Sequence, residues 1–380
     1  MQKKKELNTV IRRLSNRYPM IIWIDILTPK QILFFTPLIQ DLEAKGHEVL
    51  TTSRKYPEVE LLASLKGLDL TFVGRHGGAS LMEKLKASCE RTLHLSDYVR
   101  KLGINYAVSF SSPECARVAF GMNVKHFCIS DSPNSEKVCQ LTIPLSDTLL
   151  TPQVIPSSVW RKYGISEDRI VTYNALDTAV WLKRRPKESA RKEDYGLDAS
   201  KKTITIRLEE SQAYYIPPSA ESYTNKLLDS LLLNFPDCEI FVLGRYAIQI
   251  EAVKKAYGPK VKIVKNAVDG AGLLSVSDVF IGRGSTMAQE AALLGVPSVS
   301  ASPGWGKDGF WTEKFLISEG LLDRPESIEG IISKVGEFLQ DETHKKNLQR
   351  HAKRVLEHME DPIGVMIKTL EKSALEDRIL

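Results

Sequence analysis

The sequence predicts an α/β protein made of two doubly wound parallel-sheet domains, and three observations predict it. From Met20 onward, short apolar runs alternate with longer helical stretches. The alternation breaks once, in the charged stretch KRRPKESARKEDYGLDASKK, and then resumes on the same plan. Residues 278–299, DVFIGRGSTMAQEAALLGVPSV, read as an apolar strand, a small-residue turn, an Ala/Leu-rich helix, a Gly stop at Gly295 and a second strand opened by Pro297. Strand and helix patterns alternating at this spacing are the mark of βαβ units. A chain of 380 residues with 43% hydrophobic content can bury two cores.

Residues 1–19 carry Lys3, Lys4, Lys5, Arg12, Arg13 and Arg17 around Leu7, Val10, Ile11 and Leu14 at helical spacing, which predicts a basic amphipathic helix. Packing on the domain behind it is favoured over a membrane surface, because its apolar face lacks an aromatic anchor. The first domain, 20–180, is expected to hold strands at IIWIDI (21–26), HEVLTTS (47–53), DLTFVG (69–74), NYAVSFS (105–111), KHFCIS (125–130) and DTLLT (147–151), with helices such as 32–45 and 81–102 between them. Gly46, Gly67, Gly103 and Gly121 stand where helix ends need a left-handed residue. Residues 181–202 read as a charged linker. The second domain, 203–341, resumes with TITIRL (203–208), a helix near 222–233, EIFVLG (239–244), a helix near 250–257, VKIVK (261–265) and a short helix near Leu273. Helices over 342–380, broken at Pro362, are expected to pack back on the first domain.

Two such domains joined by a hinge would form a cleft at the carboxyl ends of their sheets, where ligands of doubly wound sheets bind. The turn at 282–286 is the anion site on that edge. Gly282 and Gly284 let backbone amides approach a ligand, and the first amides of the next helix have no intrahelical partner. Glu290 follows Thr286 by one turn, on the same face and about 6 Å further along the axis, an offset that suits ribose hydroxyls once a diphosphate rests on the turn.

Composition narrows the function classes. A net charge of +5 spread over 52 basic and 47 acidic residues is too balanced for a nucleic-acid binder, yet it suits a small anionic ligand. Five cysteines without CxxC spacing point to core thiols in a reducing compartment, and no run reaches the roughly 18 apolar residues of a membrane span. A cytoplasmic protein is expected, with at most peripheral contact at the inner face of the membrane. There is no GxSxG elbow, no HExxH or paired-CxxC metal spacing and no DxD pair, so neither a bound metal nor a resident cofactor is expected. His344, His351 and His358 recur along one helix face and read as a solvated stripe.

The residues also carry a family resemblance. VDGAGLL (268–274), the run from 278 to 300 and EGLL (319–322), together with WIDI (23–26), FFTPLIQDLEAKGHEVLTTSR (34–54), RHGG (75–78) and SPECARVAFGMN (112–123), resemble domain-of-unknown-function family 354. That family is largely archaeal and regarded as predicted glycosyltransferases. The resemblance implies a GT-B fold, shared with many nucleotide-sugar glycosyltransferases and with the UDP-N-acetylglucosamine 2-epimerases, in which the C-terminal domain holds the nucleotide and the N-terminal domain shapes the acceptor side. By carry-over, Gly284, Ser285 and Thr286 match the phosphate-binding turn, Glu290 the ribose-binding carboxylate, and Arg245 with Tyr246 an Arg-Tyr pair near the phosphates. Three places depart from the family's pattern. Arg283 and Ser285 replace glycines of the turn, Thr28-Pro29-Lys30-Gln31 replaces an Asn-Pro and a His after the first strand, and Asp131-Ser132-Pro133-Asn134 replaces an Asp-Thr-Glu-His run after the fifth.

The implied activity is transfer of a sugar from a nucleotide-diphosphate sugar, with UDP the first-choice nucleotide, to a hydroxyl on a lipid-linked or small-molecule acceptor. Arg245, Arg207 and Arg283 would join the turn amides on the diphosphate, since guanidinium offers permanent, bidentate charge. Candidates for the base are Asp25, His76 and Asp131, all at strand ends of the first domain, with Glu114 read instead as a helix-terminus charge. Two rival readings stand beside transfer: a nucleotide-sugar 2-epimerase or hydrolase, and a nucleotide-sugar-binding protein without turnover.

Overall fold

The computed structural model describes residues 19–78, 80–185, 190–208, 220–244, 246–263, 269–282, 285–301 and 310–379. The basic segment 1–18 and the site residues Arg245, Arg283 and Gly284 lie outside the described residues. The chain forms two units: the described residues up to Trp181 with the segment from Glu360, and Leu182–Met359.

The first unit is a parallel sheet in the order β3-β2-β1-β4-β5-β6-β7. Its strands are β1 (Ile21–Ile26), β2 (Glu48–Lys55), β3 (Thr71–Arg75), β4 (Tyr106–Phe110), β5 (Lys125–Ile129), β6 (Thr148–Pro152) and β7 (Ile170–Tyr173). Between them run α1 (Pro29–Ala44), α2 (Pro57–Leu65), α3 (Leu81–Val99), α4 (Pro113–Gly121) and α5 (Glu136–Thr142). β1 is apolar throughout except Asp25, because helices cover both faces of a doubly wound sheet. α1 begins on Pro29, whose missing N–H costs nothing at a helix start, and buries Ile32, Phe34, Phe35, Leu38, Ile39 and Leu42. Gln31 of α1 accepts from the Leu27 amide at 2.5 Å and donates to the Phe110 carbonyl at 3.1 Å, tying the end of β1 to the end of β4.

The second unit repeats the plan with five strands in the order β10-β9-β8-β11-β12. They are β8 (Thr203–Arg207), β9 (Glu239–Leu243), β10 (Lys262–Ile263), β11 (Val279–Gly282) and β12 (Ser298–Ser300). The helices are α6 (Ala220–Asn234), α7 (Ala247–Tyr257), α8 (Gly270–Val276), α9 (Ser285–Leu293), α10 (Trp311–Ser318), α11 (Ile328–Gln340) and α12 (Glu342–His358). Ile204, Ile206, Val242, Val279 and Ile281 meet Leu227, Leu231, Val335 and Phe338 in the core. Within the charged stretch 181–202, Leu197 is buried against Phe241, Leu243 and Leu273, so the part around it packs on the second unit. The last helix, α13 (Pro362–Ile379), belongs to the first unit: Glu371 pairs with Lys45 at 2.9 Å and Asp377 accepts from Tyr106 at 2.7 Å, whereas α12 stays with the second.

Several expectations need correction. β7 has no counterpart in the strand reading. Gly121 ends α4 without a positive φ, and Asn123, at φ 56°, takes the left-handed position instead; Gly46, Gly67 and Gly103 do take it. Of the cysteines, Cys115, Cys128 and Cys139 are buried, but Cys89 is exposed and Cys238 half-buried. Gly295 stops α9 at φ 72°, and a Cβ there would stand 2.4 Å from the Gln349 Cα of α12. Gly295→Ala is therefore expected to lower unfolding stability by about 2–3 kcal/mol, measured by urea denaturation, since both a left-handed alanine and a backbone clash must be accommodated.

Candidate functional site

In an open doubly wound sheet the ligand edge is where the strand order reverses. In the second unit that point lies between β8 and β11, and Arg207 is the register partner of Gly282 there. Both end their strands; the Arg207 side chain is half-buried, and its Nη1 donates to the Gly244 carbonyl, just after β9, at 2.7 Å. Gly282 is required by close packing, because a Cβ would fall 2.8 Å from the Phe280 ring and 3.3 Å from Ala288. α9 starts at Ser285, directly after the turn, with Thr286 half-buried in its first turn and Glu290 one turn on, only 4% exposed. Five of the sequence-predicted residues, Arg207, Gly282, Ser285, Thr286 and Glu290, thus belong to one strand–helix corner and its neighbouring strand. Tyr246 opens α7, its amide donating to Gln249 Oε1 at 3.2 Å.

In the first unit the reversal falls between β1 and β4, where Asp25 pairs with Ser109 in register. Just beyond β4, Ser111 adopts φ 52°, a conformation that non-glycine residues rarely hold and that clusters at functional edges. Asp25 is wholly buried, and all four of its acceptor positions are taken. Oδ1 receives Thr52 Oγ1 at 2.6 Å and Arg91 Nη2 at 2.6 Å, while Oδ2 receives Arg91 Nη1 at 3.0 Å and Ser112 Oγ at 2.6 Å. Burial alone would raise its pKa, but Arg91, Ser112 and Thr52 hold it below the ordinary carboxylate value. The expectation that Asp25 meets a substrate hydroxyl therefore gives way to a structural use. Ser112 rather than Glu114 caps α4, its Oγ accepting from Cys115 N at 3.2 Å, and Glu114 lies 3.6 Å from Arg91.

Arg91 reaches Asp25 across a bulge. Opposite Arg54 of β2, strand β3 places two residues, Val73 and Gly74, where one would suffice. Gly74, at φ 76°, leaves room for the Arg91 stem, which a Cβ would meet at 3.0 Å, and Arg91 Nε donates to Val73 O at 2.9 Å.

His76 follows β3, its ring stacked on Tyr56 with centroids 4.9 Å apart. Nδ1 accepts the Gly78 amide at 3.1 Å, so the neutral ring carries its proton on Nε2.

Asp131, after β5, sits in a different cluster. Its Oδ2 lies 2.5 Å from Lys30 Nζ, which also lies 2.8 Å from Asp177 Oδ2 and 4.3 Å from the Phe110 ring centroid. Asp131 Oδ1 accepts from Ser132 Oγ at 2.7 Å, and Asp177 Oδ1 from Tyr173 OH at 2.5 Å. Asp177 is fully buried, while the Asp131 side chain keeps 7% of its surface exposed. Burial would raise both carboxyls; Lys30 holds Asp131 below its usual range, and Asp177 rises to about 6. Two of the three places where the chain departs from the family pattern, at Lys30 and at Asp131, are partners in space. Sequence reading named them separately and missed Asp177 and Arg91. The three C-terminal histidines have separate neighbours: His344 stacks on Phe338, His351 Nε2 lies 2.9 Å from Glu319 O, and His358 Nδ1 lies 2.7 Å from Arg354 O. Among the described residues no group of three metal-ligating side chains occurs, and no helix is long and apolar enough to cross a membrane.

Comparisons with known proteins fit this architecture. The uncharacterized protein MJ0665 of Methanocaldococcus jannaschii is 26% identical over 368 residues, 91% of this chain and 96% of that protein. Among solved structures, the UDP complex of S. aureus MnaA superposes with a TM-score of 0.74 at 14% identity, covering 94% of this chain and 97% of that one. UDP-GlcNAc 2-epimerase from Neisseria meningitidis, bound to UDP-GlcNAc, gives 0.62 at 13% identity over 95% and 100%. The spinosyn rhamnosyltransferase SpnG with thymidine diphosphate gives 0.60 at 14% identity over 93% and 100%. At such identities these likenesses establish the fold, GT-B-like with two Rossmann-like parallel-sheet units. The family model described as "Protein of unknown function (DUF354)" matches residues 20–374, and the chain belongs to that family.

Proposed function

We propose that the protein is a glycosyltransferase that moves a sugar from a nucleotide-diphosphate sugar, UDP first, to an acceptor hydroxyl without a metal clamp. The observation that carries it is the corner at the reversal point of the second sheet. Arg207 stands in register with Gly282, the first amides of α9, which a helix leaves without intrahelical partners, follow, and Glu290 lies one turn later. Helix-start amides and a guanidinium suit a diphosphate, and a carboxylate one turn on suits ribose hydroxyls. In the reaction the acceptor oxygen bonds to the anomeric carbon as the bond to the diphosphate oxygen breaks. The negative charge that develops on the diphosphate falls on Arg207 and the amides. The hydroxyl proton passes to Asp131, the base candidate with both exposed surface and lone pairs left over.

UDP is expected to raise the melting temperature of the wild type, because a ligand that binds only the native state stabilises it by mass action. Glu290→Ala should weaken UDP at least about tenfold, roughly 1.4 kcal/mol, while leaving the fold intact by circular dichroism. Undiminished affinity in the variant would remove the assignment. Incubation with UDP-sugars then separates the chemistries: UDP release that depends on an added acceptor and survives EDTA supports transfer, whereas a changed sugar without acceptor points to epimerisation.

A further inference from the structure

We infer that Arg54 is an anion-recognition residue at the ligand edge of the first unit, taking a phosphate or carboxylate carried by the acceptor. The inference rests on the reading of that unit as the acceptor side, and it narrows the acceptor to an anionic molecule.

Arg54 lies near the carboxyl end of β2, beside β1 and directly opposite the Val73–Gly74 bulge. Bulges re-aim side chains and are over-represented next to active sites. The side chain is half-buried, and its Nε is enclosed by protein with no hydrogen-bond partner among the described residues. Among the described residues, no carboxylate oxygen lies within the 4.0 Å of an ion pair from its guanidinium. The groups that act on it are Glu114, Arg91, Asp25 and Tyr56. Two of these are committed elsewhere. Asp25 has its lone pairs filled by Arg91, Thr52 and Ser112, and Glu114 leans on Arg91 at 3.6 Å and Ser112 at 3.4 Å.

A buried donor without a partner costs stability, and a guanidinium presents a planar fork that matches two oxygens of a carboxylate or phosphate. Burial also lowers the Arg54 pKa, against the pull of Glu114, which is the direction expected of a cation taken out of water without a contact partner. Arg91, on α3, solves the same problem by pairing with Asp25; among the described residues Arg54, on β2, has no such partner. Tyr56, which acts on Arg54, is stacked on the His76 ring with centroids 4.9 Å apart and so presents a held aromatic group on this side.

The test uses the full chain, saturated with UDP and held at constant ionic strength with chloride, titrated with inorganic phosphate and separately with acetate. In the wild type one or both anions should raise the melting temperature saturably. In Arg54→Gln the apparent affinity should fall at least about tenfold. Equal affinities in the two proteins, or no stabilisation by either anion, overturn the assignment. Phosphate and acetate arms distinguish the two oxyanions. Should Arg54→Gln fail to fold, the side-chain Nε–H resonance of Arg54 in wild-type protein, assigned through Arg54→Lys, should move saturably with the anion; a resonance that does not move is the overturning result. If UDP itself stabilises neither protein, the nucleotide reading falls, while the anion titration still decides the role of Arg54.

Discussion

Arg91→Leu is expected to lower unfolding stability by about 3–5 kcal/mol near neutral pH, because it strands the Asp25 carboxylate in the first core without its cation. Arg91 is 1% exposed and Asp25 not at all, so water cannot replace the lost contact. The pH dependence makes the expectation specific. In the wild type, burial pushes the Asp25 pKa up, but Arg91 and the Ser112 and Thr52 hydroxyls hold it below the usual value. A carboxyl depressed in this way contributes stability that is complete above its unfolded pKa of about 3.9 and is lost as pH falls through the folded value. In Arg91→Leu burial is opposed only by the Ser112 and Thr52 hydroxyls, so the folded pKa is expected to move above the unfolded one and the sign to reverse. The variant should be least impaired near pH 4 and progressively worse as pH rises, in urea midpoints taken from pH 4 to 8. Adding Asp25→Asn should recover a large part of the loss at pH 8, since the amide carries no charge to bury. A variant equally impaired at both ends of the range would mean that packing of the Arg91 stem, not its charge, is what the core uses.

The repeating architecture was legible because both units are built from strands buried on two faces and punctuated by short loops, a pattern written in runs such as IIWIDI and TITIRL. The strand–helix corner was legible because the strand, the glycine at 282, the helix start and Glu290 are contiguous in sequence. The polar clusters of the first unit were not, because their partners are joined only by the fold. Asp25 and Arg91 are 66 residues apart, and Lys30 and Asp177 are 147 apart. One signal could have revealed the first pair. In α3, Ala87, Arg91, Leu95 and Val99 recur every fourth residue and are all buried; a charge standing in that stripe calls for a buried opposite charge, and Asp25 interrupting β1 is its complement. Asp177 gave less warning. It follows β7, a four-residue strand whose Ile170-Val171-Thr172-Tyr173 run is too short to stand out, and its partner Lys30 was visible only as a family departure. Gly121 failed as a stop because Asn, with a short polar side chain, also tolerates the left-handed region, and Asn123 holds it.

Lys30→Met should likewise cost about 3–5 kcal/mol at pH 8, and much less at pH 5. Its ammonium joins two buried carboxylates, and without it those charges face one another. In the wild type the two respond differently. Burial raises Asp177 to about 6, with Lys30 opposing and Asp131 adding, while Lys30 keeps Asp131 below its ordinary value. The first proton taken up as pH falls therefore goes to Asp177. A carboxyl whose folded pKa exceeds its unfolded value of about 3.9 penalises the native state as pH rises from there through the folded value. Wild-type stability should thus decline modestly between about pH 4 and 6 from this group alone. Asp131 works in the opposite direction, its contribution present above about pH 4 and lost in stronger acid. Removing the ammonium takes away the attraction that Lys30 exerts on both carboxyls, so both folded pKa values rise and the decline becomes steep. At pH 5 one carboxyl holds a proton and can donate it to the other, which relieves most of the repulsion. Lys30→Arg, which keeps a cation, should retain the wild-type profile in shape if not in height. If Asp131 is the base, Lys30→Met should also carry the acid limb of the pH–rate profile to higher pH, because a carboxyl without its cation ionises later. Equal losses at pH 5 and pH 8, with an unmoved acid limb, would assign Lys30 to packing against Phe110 and leave the base unidentified.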